Sequence, residues 1–154
     1  MTSGTIYLGS DHRGWRLKGK IAAYLSKRGC KIFDVGDRAP DPADDFPQFA
    51  AAAALKLLAD DNDIDKAILI CGGGQGMAMA ANRFRSVRAI VATTAEDAKL
   101  GRGDNDANVL CLPARVLDLD DNQYWQDIID TFLSTEFSGA ARFVRRNRQL
   151  DELS

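Results

Sequence analysis

Five short apolar runs alternate along the chain with longer segments in which apolar residues recur at helical spacing. The apolar runs predict β-strands over Thr5–Leu8, Lys31–Val35, Ala67–Ile70, Val87–Val91 and Asn108–Leu112. The other segments predict helices over Arg13–Arg28, Phe46–Asp60, from Met77, from Thr94 through Leu100, Asn122–Leu133 and Gly139–Leu150. Strands that alternate with helices predict an α/β fold, in which helices cover both faces of a five-stranded parallel sheet.

Sheets of this kind bind ligands beyond the carboxyl ends of their strands. Functional side chains are therefore expected in the loops that follow the predicted strands: Gly9–His12, Gly36–Phe46, Cys71–Gly76, Ala92–Thr94 and Pro113–Arg115. The chain contains no internal repeat, low-complexity tract or linker, so one domain over residues 1–154 is expected.

The loop after the third strand carries the strongest candidate chemistry. The strand ends at Cys71, and the run Gly72–Gly76 follows, with Gln75 as its only side chain of any size. A helix that starts behind this loop gathers unpaired backbone N–H groups and a positive dipole end, which together suit an oxyanion. A deprotonated thiol beside them can act as a base or a nucleophile. The alternative is a buried structural cysteine ahead of a tight turn.

The spacing of these glycines argues against two nucleotide-binding sites. A phosphate loop ends in Gly-Lys-Ser/Thr, which does not occur here. Gly72, Gly74 and Gly76 are spaced G-x-G-x-G, whereas a dinucleotide-binding domain has G-x-G-x-x-G. A nucleotide-binding Rossmann domain is therefore a weak alternative.

Two further polar groups can be interpreted as functional or as purely structural. Asp11 and His12 lie in the first strand-to-helix turn, and His12 is the only histidine of the chain. The alternative, weighted equally, is that Asp11 or Ser10 caps the following helix and His12 is simply exposed. The run Asp104–Asp106 is either part of a site or a polar turn before the fifth strand.

Arginines of the last predicted helix form a candidate anion site. Arg142, Arg145 and Arg146 share one helix face, and guanidinium groups match phosphate oxygens; a solvated surface is the alternative. Arg115 follows the fifth strand and is a further candidate. A net charge of −2 and a pI of about 5.4 give no global basic field, so a phosphorylated small molecule is favoured over nucleic acid.

Composition predicts a cytoplasmic protein with no membrane partner. Hydrophobic residues make up 45% and charged residues 27% of the chain, which is typical of a globular domain. No secretory signal precedes the first strand, and no apolar stretch approaches the roughly 20 residues of a membrane span. Three cysteines without paired spacing favour a reducing compartment, and one histidine makes a structural zinc site unexpected. No metal site is expected.

Seven stretches together resemble the ribose-5-phosphate isomerase type B family, which includes the galactose-6-phosphate isomerase subunits. Their order and spacing agree with the family over nearly the full length. They are YLGSDHRGWRLK (Tyr7–Lys18), DVGD (Asp34–Asp37), DDFPQFA (Asp44–Ala50), ICGGGQGMAMAANR (Ile70–Arg83), VRAIVA (Val87–Ala92), NDANVLCLPARV (Asn105–Val116) and FSGAARFVRR (Phe137–Arg146).

The resemblance implies a Rossmann-like three-layer α/β/α sandwich and aldose–ketose isomerisation of a sugar phosphate without a cofactor. It implies a homodimer, or a dimer of dimers, in which both subunits build each active site. The basic C-terminal helix, about residues 139–150, is then expected to contact the partner subunit.

The resemblance also implies roles for individual residues. Cys71 is the base that moves a proton between C1 and C2 through an enediolate, and the backbone of the glycine loop stabilises that enediolate. Asp104 takes the place of a ring-opening acid–base group. The substrate-binding residues are Asp11, His12, Gly72, Gly73, Gly74, Gln75, Gly76 and Asn105. The phosphate-binding residues are Arg115, Arg142 and Arg146.

Several residues depart from the family's pattern. Cysteine-type members commonly have histidine where Asp104 stands, a serine or threonine at Gly73, and a tyrosine at Phe46. Some members carry a glutamate base where Met77 stands, so Cys71 is the only base of this loop. These changes leave open the same chemistry on a tetrose 4-phosphate or hexose 6-phosphate, or a paralogue that binds sugar phosphates without catalysis.

Overall fold

The central strand of the sheet is β3 (Lys66–Cys71), an apolar run whose six residues are all buried. The structure, a computed structural model, describes residues 3–36, 38–119 and 122–153. The other strands are β1 (Thr5–Ser10), β2 (Lys31–Asp34), β4 (Ala89–Val91) and β5 (Val109–Pro113). All pairings are parallel, in the order β2-β1-β3-β5-β4. The five-stranded parallel sheet predicted from the apolar runs is confirmed.

Helices cover both faces of the sheet because the buried strands present apolar side chains alternately to each side. Ile68 and Ile70 face a core formed with α1 (Trp15–Lys27), α4 (Ala95–Asn105) and α6 (Tyr124–Ser134). Leu69 and Cys71 face a second core formed with α2 (Phe46–Ala59) and α3 (Gln75–Ala81). The short helix α5 (Ala114–Leu117) follows β5, and α7 (Ala141–Asp151) lies outside, against α4.

Helix ends follow local sequence signals. Thr94 accepts a hydrogen bond from the N–H of Asp97, whose carboxylate accepts one in return, and this capping box starts α4. The N–H donors of Thr93 and Thr94 also hold the pKa of the Asp97 carboxyl below its usual value, the Thr93 N–H most of all. Gly29, at φ 76°, closes α1 in the left-handed conformation that glycine adopts without strain.

Some predicted boundaries were wrong. The fourth strand begins at Ala89 and not Val87, and the fifth spans Val109–Pro113 and not Asn108–Leu112. The side chain of Asn108 accepts from the Arg88 N–H and donates to the Ser86 carbonyl, so this pair closes the loop ahead of both strands. Asp37, which opens the predicted acidic loop, lies outside the described residues.

Most helix ends differ from the predicted ones by one or two residues, and two of the differences bear on the candidate site. The third helix begins at Gln75, inside the predicted loop, and α4 continues to Asn105, so Asp104 and Asn105 end a helix instead of forming a turn. Within the described parts of the chain, no helix has both the length and the apolar character needed to cross a membrane.

Candidate active site

The strand order places a cleft between β1 and β3. The chain moves from β1 to one side of the sheet for β2, and to the other side for β3, β5 and β4, so the topology switches between these two strands. Ligands of open α/β sheets bind at such a switch point. The Asp11 N–H donates to the Ile70 carbonyl at 3.3 Å, which joins the Asp11–His12 turn to the end of β3 beside Cys71.

Cys71 ends β3 with its sulfur under the glycine loop. The Gly74 N–H donates to Sγ over 3.2 Å, and only 6% of the residue is exposed. Gly74 has φ 73°, a left-handed conformation that glycine adopts without strain. A Cβ there would also lie only 3.2 Å from the Leu112–Pro113 peptide, so a larger residue would be crowded. Because α3 starts at Gln75, the first backbone N–H groups behind the thiol lack acceptors within the helix.

The other cysteines lack this setting. Cys111 is fully buried, and burial raises the pKa of its thiol well above the usual value, so it stays protonated at neutral pH. Cys30 is partly buried and packs against the core under α1. Of the three cysteines, Cys71 therefore combines a backbone N–H donor at its sulfur with a place at the carboxyl edge of the sheet.

Two guanidinium groups flank Gly72. A Cβ built on Gly72 would lie 3.2 Å from Arg13 Cδ and 3.3 Å from a terminal nitrogen of Arg115. The Arg115 N–H also donates to the Gly72 carbonyl at 3.0 Å, which fixes the start of α5 beside the loop. Both arginines are exposed and line a small pocket of about 260 Å³. This edge therefore offers positive charge next to the thiol.

The other side of the glycine loop is apolar. The Phe46 ring lies over Gly76, where an added Cβ would approach it to 2.8 Å. A Cβ on Gly73 would meet no atom within 4 Å, so this position faces open space. The loop thus has an aromatic wall on one side and room for a ligand at Gly73.

Asp11 and His12 are held by specific hydrogen bonds. Asp11 Oδ1 accepts from the N–H groups of Arg13 and Gly14 at 3.0 and 3.1 Å, which closes the turn ahead of α1. The helix itself follows Gly14 without a side-chain cap, so the capping role considered for Asp11 was wrong. His12 Nδ1 lies 2.7 Å from Asp44 Oδ1. Oxygen and nitrogen atoms of these three side chains approach within 4.8 Å. Because Asp11 and Asp44 already accept hydrogen bonds, internal bonding accounts for the cluster and no cation is inferred.

The other candidate residues lie at the opposite edge of the sheet. Asp104 and Asn105 end α4, just ahead of the amino end of β5. Ala67 pairs with Val109 and Cys71 with Pro113, so about 13 Å of strand separates the two edges. The helix α7 packs here too, since Asn147 Nδ2 donates to the Asp104 carbonyl at 3.4 Å. The helix that carries the candidate arginines Arg142 and Arg146 therefore packs at the edge opposite Cys71.

Arg88 connects the chain segments that lie at this second edge of the sheet. Its guanidinium donates to both carboxylate oxygens of Asp151 at 2.8 and 3.0 Å, and to the carbonyls of Asn105 and Asp106. The contacts connect the end of α4 to the end of α7. A groove of about 770 Å³ opens beside them, lined by the segment 82–90, Asn105 and residues near the end of α7. This groove and the thiol occupy opposite edges of one chain.

Sequence reasoning missed three of these side chains. Arg13, Asp44 and Arg88 all fall within stretches quoted for the family resemblance, but none received a role. Arg13 could have been found from its place beside His12 in a strand-to-helix turn. The contacts of Asp44 and Arg88 bridge residues 32 and 63 positions apart, and no local pattern encodes such contacts.

Comparison with known proteins identifies the family. The family described as ribose/galactose isomerase matches residues 6–151. The chain belongs to this family. Ribose-5-phosphate isomerase B of Escherichia coli is 37% identical over 134 residues, which cover 87% of this chain and 86% of the relative.

Solved structures of the family have the same fold. A ribose 5-phosphate isomerase from Thermotoga maritima gives a TM-score of 0.89 at 38% identity, over 98% of this chain and 99% of the other. Ribose-5-phosphate isomerase B from Mycoplasma genitalium, solved with bound ribulose 5-phosphate, gives 0.88 at 36% identity, over 99% of this chain and all of the other. The Rossmann-like three-layer α/β/α sandwich implied by the resemblance is confirmed.

Proposed function

We propose that this chain is an aldose–ketose isomerase that converts ribose 5-phosphate to ribulose 5-phosphate without a cofactor, with Cys71 as the base. The observation that carries the proposal is the Cys71 thiol at the switch point of the sheet, with the Gly74 N–H 3.2 Å from its sulfur. Membership in the isomerase family supports the reaction. The relative solved with ribulose 5-phosphate supports the pentose.

The reaction moves one proton between neighbouring carbons of the open-chain sugar. The Cys71 thiolate removes the proton from C2, a C1–C2 double bond forms, and the negative charge passes to the oxygen on C1. The thiol returns the proton to C1 while the hydroxyl proton on O2 moves to O1, which leaves the ketone at C2. Backbone N–H groups of Gly72–Gly76 donate to the oxygen on which charge develops, as in an oxyanion hole.

The remaining residues bind the sugar phosphate from two chains. Asp11 and His12 contact hydroxyls or phosphate at the Cys71 edge, together with Arg115. The opposite edge of a second subunit supplies Asn105, the acid–base group Asp104, and the arginines Arg142 and Arg146 of α7. The strand length that separates the two edges of one chain supports this arrangement. The functional unit is then a homodimer, or a dimer of dimers, in which α7 contacts the partner subunit.

A tetrose 4-phosphate is the second candidate substrate, because residue 104 is an aspartate. An aspartate carboxyl is usually ionised at neutral pH, which makes it a poor acid for opening a sugar ring. A tetrose 4-phosphate cannot close a furanose ring, since its C4 oxygen is esterified. Ring opening is then unnecessary.

An isomerisation assay across a substrate panel tests the proposal. The panel is ribose 5-phosphate, erythrose 4-phosphate, allose 6-phosphate and galactose 6-phosphate, each with wild type, Cys71→Ala and the control Cys30→Ala. We expect turnover of ribose 5-phosphate by the wild type and by Cys30→Ala, and at least a thousandfold loss in Cys71→Ala, in line with losses of essential catalytic groups.

Other outcomes of the panel are equally informative. Preferred turnover of erythrose 4-phosphate, again dependent on Cys71, would transfer the proposal to the tetrose. Turnover that survives in Cys71→Ala would overturn the role of the thiol. Binding of the sugar phosphates without turnover by wild type would favour a paralogue that has lost catalysis.

A further inference from the structure

A tight turn after the proline-containing loop presents Asp44 to the turn that follows β1. Asp41 Oδ1 accepts from the Ala43 N–H at 2.9 Å, and the Asp41 carbonyl accepts from the Asp44 N–H at 3.0 Å. Pro40 and Pro42 flank Asp41 and restrict its backbone further. Asp44 is therefore placed by its own loop and not by chance contact of a mobile side chain.

Among the described residues, the Asp44 side chain makes both of its hydrogen bonds to His12. Its Oδ1 accepts from the His12 backbone N–H at 3.1 Å and lies 2.7 Å from Nδ1. The Asp44 side chain is only 3% exposed, whereas the His12 side chain is 30% exposed. A carboxylate only accepts hydrogen bonds, so Nδ1 must carry the hydrogen. In a neutral imidazole the lone pair is then on Nε2.

The free edge of the ring faces away from Asp44. Nε2 makes no hydrogen bond to any residue within 3–36, 38–119 or 122–153. His12 follows Asp11, whose N–H is bonded to Ile70, so the imidazole lies on the same edge of the sheet as Cys71. A partnered Nδ1 and an unpartnered Nε2 leave one ring nitrogen for a ligand.

We propose that Asp44 is a positioning residue that fixes His12 as the Nδ1–H tautomer and turns Nε2 toward the sugar phosphate. The inference rests on the proposed function. A neutral Nε2 accepts a hydrogen bond from a sugar hydroxyl, and a protonated Nε2 donates to phosphate. Without Asp44 the ring is free to rotate and to take the other tautomer, which cannot accept at Nε2.

Nitrogen-15 NMR of the imidazole tests the tautomer directly, because the chain has one histidine and an untagged protein gives one set of ring signals. At about pH 8, where histidine is usually neutral, we expect a pyrrole-type Nδ1 and a pyridine-type Nε2 in the wild type. Asp44→Ala should shift the signals toward the Nε2–H tautomer that predominates in free histidine. Asp45→Ala, which removes the neighbouring exposed carboxylate, should leave them unchanged.

Steady-state kinetics test the consequence for the substrate. Asp44→Ala should raise KM for ribose 5-phosphate about tenfold, the loss expected for one hydrogen bond to a charged group, with a smaller change in kcat. In a His12→Ala background the same substitution should add nothing. Asp44→Asn, which keeps an acceptor oxygen, should restore most of the affinity and covers the case in which Asp44→Ala fails to fold.

Two results would overturn the proposal: an Nε2–H tautomer in the wild type, or effects of Asp44→Ala and His12→Ala that simply add. Failure of the proposed function is distinguishable, because a wild type that isomerises no sugar phosphate still gives the NMR result. The tautomer is then fixed as described while the substrate is not a sugar phosphate of the panel.

Discussion

At the scale of single residues, the connection from β1 to α1 allows little change. A Cβ on Gly14 would lie 2.5 Å from the carbonyl oxygen of Ile70, which belongs to the central strand and cannot move aside. A Cβ on Gly19, inside α1, would meet nothing within 4 Å. The two glycines therefore differ in what alanine would cost.

We expect Gly14→Ala to lower the free energy of unfolding by about 1–3 kcal/mol, as overpacking of a tight site does. Gly19→Ala should raise it by up to about 1 kcal/mol, because alanine is the better helix former. Urea denaturation of both variants measures these changes. A Gly14→Ala protein as stable as wild type would contradict the close approach to β3.

Tyr7 makes stability depend on pH in the alkaline range. Its hydroxyl donates to Asp60 Oδ2, and this bond, together with burial, raises the pKa of Tyr7 from 10.0 to about 12. Because folding raises this pKa, the Tyr7 hydroxyl contributes fully to the free energy of unfolding below pH 10. That contribution is lost as the pH rises toward 12. Tyr24 is shifted to a similar value, chiefly by burial.

The free energy of unfolding of the wild type should therefore fall by up to about 1.4 kcal/mol per pH unit more steeply than that of Tyr7→Phe between pH 10 and 12. The Tyr24 contribution is common to both proteins and cancels in the difference. Denaturation at a series of pH values measures it. Parallel curves for the two proteins would contradict the role of the Tyr7 hydroxyl.

At the scale of elements, α7 is held to its own chain by few contacts. Among its described side chains only Asn147 is buried, and Asp151 is bonded to Arg88 at its last turn. The helix carries Arg142 and Arg146, so any change in its placement moves the proposed phosphate ligands.

Asp151→Ala should raise KM for ribose 5-phosphate about tenfold and change kcat less than twofold, because a looser α7 weakens phosphate binding without touching Cys71. Asp130→Ala is a matched control, since it removes a carboxylate that binds Tyr24 of α1 and Arg28, the residue after that helix. The control should lose stability without the rise in KM. Equal KM values for the two variants would contradict the role of the Arg88–Asp151 ion pair in placing α7.

The sequence predicted the helices and strands better than it predicted their ends and their packing positions. Strands β1, β3 and β5 were predictable because buried parallel strands are continuous apolar runs. The ends of β4 and β5 were not, since they depend on the Asn108 side chain closing a loop. The Cys71 loop was found from local chemistry, whereas the position of α7 at the far edge depends on contacts that no helical pattern encodes.

At the scale of the whole molecule, the candidate residues divide between two edges of one sheet. Cys71, His12 and Arg115 lie at the carboxyl ends of strands, whereas Asp104, Asn105 and the helix α7, which carries the candidate arginines, lie beyond the amino ends. A sugar phosphate cannot span the roughly 13 Å of strand between the edges. In the proposed dimer the amino edge of one subunit would meet the carboxyl edge of its partner, and each site would then receive both sets of residues.

Mixing two variants, each expected to lose activity on its own, tests this account most directly. Cys71→Ala and Arg146→Ala are unfolded together, refolded and assayed with ribose 5-phosphate. In a dimer with shared sites about a quarter of the sites regain both residues, so about a quarter of wild-type activity should return. If Cys71 and Arg146 act within one chain, every site keeps one defect and the mixture should stay inactive.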